Sequence, residues 1–201
     1  MEEHRVPPTI VSKREAPVKE NTMVGDKVDL YEIPIMRHHE MDGGPYIVLS
    51  TVTKDKKSGI YNCSYHRMEV KSKNSTALYA SPRHLWKIYR DYESRNEEMP
   101  VATVLGHHPA YHMGACYSGP FEVSEYDVIG GYLGEPLRLT ASETFGEDLL
   151  IPADAEIVIE GVLIPNKRVV EGPFGEAPGY LGPQRYTTCA EYQVKTINYR
   201  N

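Results

Sequence analysis

Fifteen prolines and sixteen glycines punctuate this chain of 201 residues. Proline ends helices and central strands, and glycine supplies the positive φ that tight turns need, so the elements must be short and the turns many. Fifteen tyrosines add side chains that suit a pleated surface and aromatic walls. This length fits one domain, or one domain with an appended arm. With 40% hydrophobic and 25% charged residues, the chain can pack a core. Its net charge of −6 argues against nucleic acid or an anionic membrane as the main partner. No run approaches the roughly 18 apolar residues of a membrane span. The opening Met-Glu-Glu-His lacks the basic and apolar regions of a signal peptide. Cys63, Cys116 and Cys189 are odd in number and widely spaced, which fits reduced cytoplasmic thiols better than disulfides or a zinc site.

Residues 1–44 read as an extended arm, with scattered proline and alternating charge. From residue 45 the pattern is β-rich. Pro45 to Thr53 and Ile60 to Val70 form a hairpin across a polar loop ending in Gly59. Ser81 to Glu98 reads as a helix with Ser81 as N-cap and Pro82 first, its apolar stripe being Leu85, Ile88, Tyr89 and Tyr92. Val101 to Leu105 is a short buried-type strand. Pro109 to Tyr117 is a small-residue helix. Ser124 opens a third helix, with Asp127 completing a capping box and Gly130 and Gly131 making it short or close-packed. Leu137 to Thr144 and Ala155 to Ile164 are strands, the second interrupted by a bulge at Gly161. Glu171 to Tyr180 is a turn, and the tail from Tyr186 is β-like. The sum is α+β: a barrel-like sheet over residues 45–201 covered by three short helices.

The strongest local oddity is Glu171-Gly172-Pro173-Phe174-Gly175-Glu176. A bend stiffened by Gly and Pro carries two carboxylates beside an aromatic ring, a place for general acid–base work if one acid stays protonated. The same spacing also fits a surface turn with two solvated glutamates. Asn62, Ser64, His66 and Arg67 form a second polar group. Asn62 and Arg67 are five residues apart and leave a regular strand on opposite sides, so a shared site requires a bulge or a strand end between them. His84 and Glu125 sit near two helix starts. Amide oxygen, imidazole and carboxylate suit Mn²⁺ or Mg²⁺, and helix N-termini favour a phosphate beside such an ion. The clusters His38-His39-Glu40-Asp42 and His108/His112 read as structural or solvated groups, since no Glu stands between the latter pair as in a zinc helix.

Together, Gly43-Gly44-Pro45-Tyr46-Ile47, Asn62-x-Ser64-x-x-Arg67, His84, Ser124-Glu125-Tyr126, the run Ile151 to Gly161 and the Glu171–Glu176 loop resemble the UbiD-like (de)carboxylases, from about Ala16 to the C-terminus. The resemblance implies a split β-barrel of the flavin-reductase type that binds prenylated FMN, supplied by a flavin prenyltransferase. It implies a lyase that decarboxylates an aromatic or α,β-unsaturated carboxylic acid. Asn62, His84 and Glu125 match the positions that hold Mn²⁺ (or Mg²⁺) against the cofactor phosphate, with K⁺ alongside. Cofactor contacts are implied for Asn62, Cys63, Ser64, Tyr65, His66, Arg67, Arg83, His84 and Glu125. Arg67, Glu171 and Glu176 match the catalytic set, with Glu176 as proton donor. Family members are usually more than twice as long, with domains on both sides of the barrel, so the resemblance implies an open cleft and slow or no turnover for residues 1–201 alone. The alternatives are a cofactor-holding subunit that needs a partner chain or self-association, and an ordinary FMN oxidoreductase on the same barrel, which an unaltered flavin spectrum would reveal.

Overall fold

The computed structural model describes residues 4–180 and 186–201. Its strands are β1 (Thr9–Ile10), β2 (Asn21–Val24), β3 (Tyr46–Lys54), β4 (Tyr61–Ser72), β5 (Ser75–Tyr79), β6 (Met99–Leu105), β7 (Arg138–Ser142), β8 (Gly146–Pro152), β9 (Ile157–Glu171) and β10 (Tyr186–Tyr199). Its helices are α1 (His84–Ser94), α2 (Pro109–Ala115) and α3 (Glu125–Leu133). Strands β10, β5, β4, β3, β6 and β9 pair in that order, and β9 pairs back to β10, closing a six-stranded antiparallel barrel. The short β2 adds to β10 outside the ring, and β1, β7 and β8 make a separate small sheet. Among the described residues, no helix is long and apolar enough to cross a membrane.

Two apolar clusters explain why the strands read as they do. Met99 and Val101 of β6 face one cluster, whereas Ala102 and Val104 face the other. Ile159 and Val158 of β9 divide in the same way. Both faces of β6 and of the first half of β9 are covered, so these stretches are largely apolar instead of alternating. The first cluster takes the α1 stripe, Leu85, Ile88, Tyr89 and Tyr92. The second packs Tyr111 of α2, with Tyr126 and Ile129 of α3, against Cys63, Val52 and the small sheet. Each such side chain contributes about 1.5–3 kcal/mol on burial.

Residues 4–44 run over this body in short strands and 3₁₀ turns, and Val18 and Leu30 are fully buried. Gly130 and Gly131 of α3 are there for contact: a Cβ would lie 2.2 Å from the Val6 carbonyl oxygen and 1.9 Å from that of His4.

Several local expectations need correction. Arg83, not Ser81, is the N-cap of α1: it is extended, while Ser81 and Pro82 lie in the preceding turn. Ser124 does cap α3, but through the Tyr126 amide, one residue earlier than a capping box with Asp127 requires. Gly161 is not itself the bulge. It pairs without a break opposite Val101, and the register slip lies in β10 between Val194 and Thr196. A Cβ on Gly161 would stand 2.1 Å from the Gln193 carbonyl oxygen, so glycine lets β10 come close. Strand β8 was not anticipated.

Strand β9 also runs past Ile164 to Glu171. Pro165-Asn166 does interrupt it: Leu163 pairs with Tyr192 and Arg168 with Ala190, so the residues between loop out. Asn166 takes a positive φ of 57°, and its amide donates to Glu93 Oε1 of α1 at 2.8 Å. Arg168 then grips the same carboxylate with bonds of 2.7 and 2.9 Å. This buried anchor restarts the strand that delivers Glu171.

Burial alone would raise the Glu93 pKa, but the Arg168 and Asn166 hydrogen bonds outweigh it and hold it at about 2, below the ordinary 4.5. The stability it adds is therefore complete above about pH 4.5 and is lost as pH falls toward 2. Glu93→Gln should lower the denaturation midpoint at pH 7 and flatten that acid limb; an unchanged limb would show that another group sets it.

Candidate active site

Two polar clusters flank β4. The first stands where the N-termini of α1 and α3 approach the strand. A cavity of about 550 Å³ there is lined by Asn62, Ser64, Tyr65, His66, Arg83, His84 and Glu125, together with Ser81 and residues 115–119. Glu125, the first residue of α3, is 3% exposed. Its carboxylate accepts the Cys63 amide at 3.0 Å and the Asn62 side-chain amide at 3.3 Å. His84 Nδ1 lies 4.0 Å from Glu125 Oε1. Burial drives the Glu125 pKa up to about 7 against the pull of those bonds.

A buried carboxylate with two neutral donors and an imidazole beside it, and with no cationic side chain bonded to it among the described residues, fits a divalent cation. Among the described residues, no three His, Cys, Asp or Glu side chains gather in a metal-binding group. This set holds only two of those types, and Asn62 would be its third donor. The two helix N-termini favour an anion next to the cation.

Along the same face of β4, Ser64 Oγ donates to Asn62 Oδ1 at 3.1 Å and meets His66 Nε2 at 2.9 Å. Burial lowers the His66 pKa to about 4, so its ring is neutral at pH 7. Cys63 has the opposite parity. Its side chain turns into the second apolar cluster, with the thiol pushed up to about 12 by burial, and only its backbone amide reaches the cavity side.

The second cluster is built by β4 and the end of β9. Arg67 Nε donates to Glu171 Oε1 at 2.9 Å and its Nη2 to Glu171 Oε2 at 3.3 Å, while its Nη1 donates to Glu176 Oε1 at 2.5 Å. The guanidinium carbon lies 4.6 Å from the Tyr79 ring centroid and 4.6 Å from that of Phe174. Burial would lower the Arg67 pKa, but the two carboxylates, Glu171 foremost, raise it on balance. Glu171 is fully enclosed, whereas the Glu176 side chain keeps 29% of its exposure.

The turn's acids are therefore not two solvated glutamates. Nor does a bulge join Asn62 to Arg67: β3 and β4 stay in register from Lys54↔Tyr61 to Tyr46↔Glu69. The two side chains leave the strand with opposite parity, and the cavity lining does not include Arg67.

The remaining histidines sort themselves. His108 caps α2 through the Ala110 amide, and His112 Nδ1 is 2.7 Å from the Tyr65 hydroxyl, so the pair does not form a metal site. Asp42, read as part of a structural or solvated cluster, is buried, and its Oδ1 accepts the Gly175 amide at 2.7 Å. Glu69 accepts the Gly172 amide at 2.9 Å. Sequence reasoning named Asp42 without its partner and missed Glu69. Glu69 follows Arg67 by two on the strand, which was the available signal.

Residues 9–201 match the family described as the 3-octaprenyl-4-hydroxybenzoate carboxy-lyase Rift-related domain, UbiD. The chain belongs to the UbiD family. A phenolic acid decarboxylase of Streptomyces sp. (strain D7) is 33% identical over 196 residues, covering 94% of this chain and 40% of that protein. Among solved structures, the UbiD-class enzyme HmfF of Pelotomaculum thermopropionicum, in complex with prFMN, matches with a TM-score of 0.93 at 36% identity, over 99% of this chain and 46% of that one. The closed form of Sedimentibacter hydroxybenzoicus vanillic acid decarboxylase matches with a TM-score of 0.92 at 31% identity, over 100% of this chain and 43% of that one. The chain thus spans less than half the length of these UbiD relatives.

Removing Arg67 leaves Glu171 enclosed without its counter-charge. Arg67→Ala should cost about 3–5 kcal/mol in denaturant unfolding at pH 7. A denaturation midpoint unchanged from the parent would contradict the pairing.

Proposed function

We propose that this chain is the cofactor-holding part of a decarboxylase that releases CO₂, without net oxidation, from an aromatic or α,β-unsaturated carboxylic acid. The observation that carries the reading is the guanidinium of Arg67 held between Glu171 and Glu176 in a UbiD-family barrel. Prenylated FMN, when bound, accepts the electron pair left by CO₂ loss, which no acidic side chain can do.

The chain's own residues supply position and the proton. Glu171 uses both oxygens on Arg67 and is fully buried, so it orients the guanidinium. Arg67 in turn meets the substrate carboxylate by charge and hydrogen bonding. Glu176 makes one bond to Arg67 from the more open side. Its carboxyl would give a proton to the carbon that loses CO₂. Asn62, His84 and Glu125 would hold Mn²⁺ or Mg²⁺ against the cofactor phosphate, with K⁺ alongside near Glu125. Arg83, Ser64, Tyr65 and His66 line the same cavity and would contact the cofactor's polar tail. A flavin prenyltransferase would supply the cofactor. The free thiols of Cys63, Cys116 and Cys189 suit a cytoplasmic setting.

The coverage of less than half of each relative favours a second reading, in which residues 1–201 hold cofactor but turn over only with a further polypeptide. Full CO₂ release by residues 1–201 alone would reject it.

Two measurements test the proposal. Glu176→Gln should retain the cofactor's visible spectrum and lose CO₂ release; surviving activity would show that Glu176 is not the donor. In Mn²⁺ titrations followed by electron paramagnetic resonance, Glu125→Gln should weaken binding by more than the roughly 10- to 100-fold that loss of an outer-shell partner costs. Unchanged affinity would place the ion elsewhere.

A further inference from the structure

Between Glu171 and Glu176 lie Gly172, Pro173, Phe174 and Gly175, none with a hydrogen-bonding side chain. The loop is nevertheless held at three of these four positions, all through its main chain. The Gly172 amide donates to Glu69 Oε2 at 2.9 Å. The Pro173 carbonyl accepts the Gly43 amide at 2.8 Å. The Gly175 amide donates to Asp42 Oδ1 at 2.7 Å.

Both acceptor carboxylates are buried, Asp42 being 2% and Glu69 4% exposed. Enclosing a carboxylate is costly unless hydrogen bonds repay its lost hydration. Here those bonds go to the loop. The second oxygen of Asp42 accepts the His39 amide at 2.9 Å, so one carboxylate ties the 39–43 turn to Gly175. Glu69 also pairs with Lys71 Nζ at 2.7 Å, and the Tyr46 hydroxyl lies 3.4 Å away. The fit leaves no slack: a Cβ on Gly43 would be 2.6 Å from the Gly172 carbonyl oxygen, and one on Gly175 2.3 Å from His39 Nδ1.

We propose that Asp42 and Glu69 are positioning residues for Glu176: through the Gly175 and Gly172 amides they fix where its carboxyl stands against Arg67. The inference rests on the reading of Glu176 as proton donor. Glu69 shares a strand face with Arg67 two residues away, so β4 sets both the guanidinium and the near end of the loop. Asp42 sets the far end, one residue before Glu176. Charge-assisted bonds of this kind are about twice as strong as neutral ones. An Asn at position 42 keeps the volume and one acceptor, but its NH₂ must face one of the two amides; Ala loses both bonds.

The test compares the cofactor-loaded protein with its Asp42→Asn, Asp42→Ala, Glu69→Gln and Glu176→Gln forms. The readings are the visible spectrum, the kinetics of CO₂ release, and amide hydrogen exchange across the chain. Asp42→Ala should keep the spectrum, hold KM within about twofold and lower kcat by about 10- to 100-fold, the scale of a small misplacement of a reacting group. Exchange at residues 172–176 should quicken about tenfold while the barrel strands stay unchanged. Asp42→Asn should fall between Asp42→Ala and the parent, and Glu69→Gln should quicken Gly172 more than Gly175. Unchanged loop exchange in both Asp42 variants, an Asp42→Ala kcat within about twofold of the parent, or exchange quickened equally in loop and barrel would each overturn the proposal. Full CO₂ release by Glu176→Gln would instead remove the proton-donor reading, and the exchange data would still decide whether Asp42 holds the loop.

Discussion

Closing this barrel takes all the water from the Glu171 carboxylate, and the Arg67 guanidinium answers that loss with two hydrogen bonds and a positive charge. Much of the site depends on that exchange. Arg67 comes from the middle of β4 and Glu171 from the end of β9, so their pairing ties two barrel strands that are not neighbours in the sheet. The rings of Tyr79 and Phe174 each lie 4.6 Å from the guanidinium carbon and pack against it. Its third bond then reaches the half-open Glu176.

The long reach of β9 is what makes the pairing available. Pro165-Asn166 would ordinarily end a strand. The buried Glu93 of α1 takes up the interruption by accepting from the Asn166 amide and holding Arg168, and the strand resumes toward Glu171. A helix whose stripe fills the first apolar cluster thus steadies the strand that carries a site residue. The other end of α1 places Arg83 and His84 at the cavity beside Glu125. One helix serves both polar clusters, and β4 lies between them.

Much of this was legible in the sequence where local chemistry decides it. The α1 stripe, the β3–β4 hairpin and the close-packed glycines of α3 follow from periodicity and turn residues. The N-cap at Arg83 did not, because no side-chain cap bond marks it, and the bulge in β10 opposite Gly161 did not, because it depends on a strand distant in the chain. The catalytic candidates were named by resemblance; their spacing alone fits a surface turn equally well. The parity of Asn62 and Arg67 was readable, and β4 keeps it without a break. Asp42 was unreadable, since its partner Gly175 stands 133 positions away and only the folded loop makes a buried carboxylate useful there.

In the proposed function, the two clusters flanking β4 serve one elongated flavin cofactor. A crystal structure of the protein loaded with prenylated FMN and Mn²⁺ tests it most directly. The account predicts anomalous density for manganese among Asn62, His84 and Glu125, the phosphate beside it, and the flavin ring reaching the Arg67–Glu176 pair. Manganese bound elsewhere, or a ring lying away from Arg67, would contradict it.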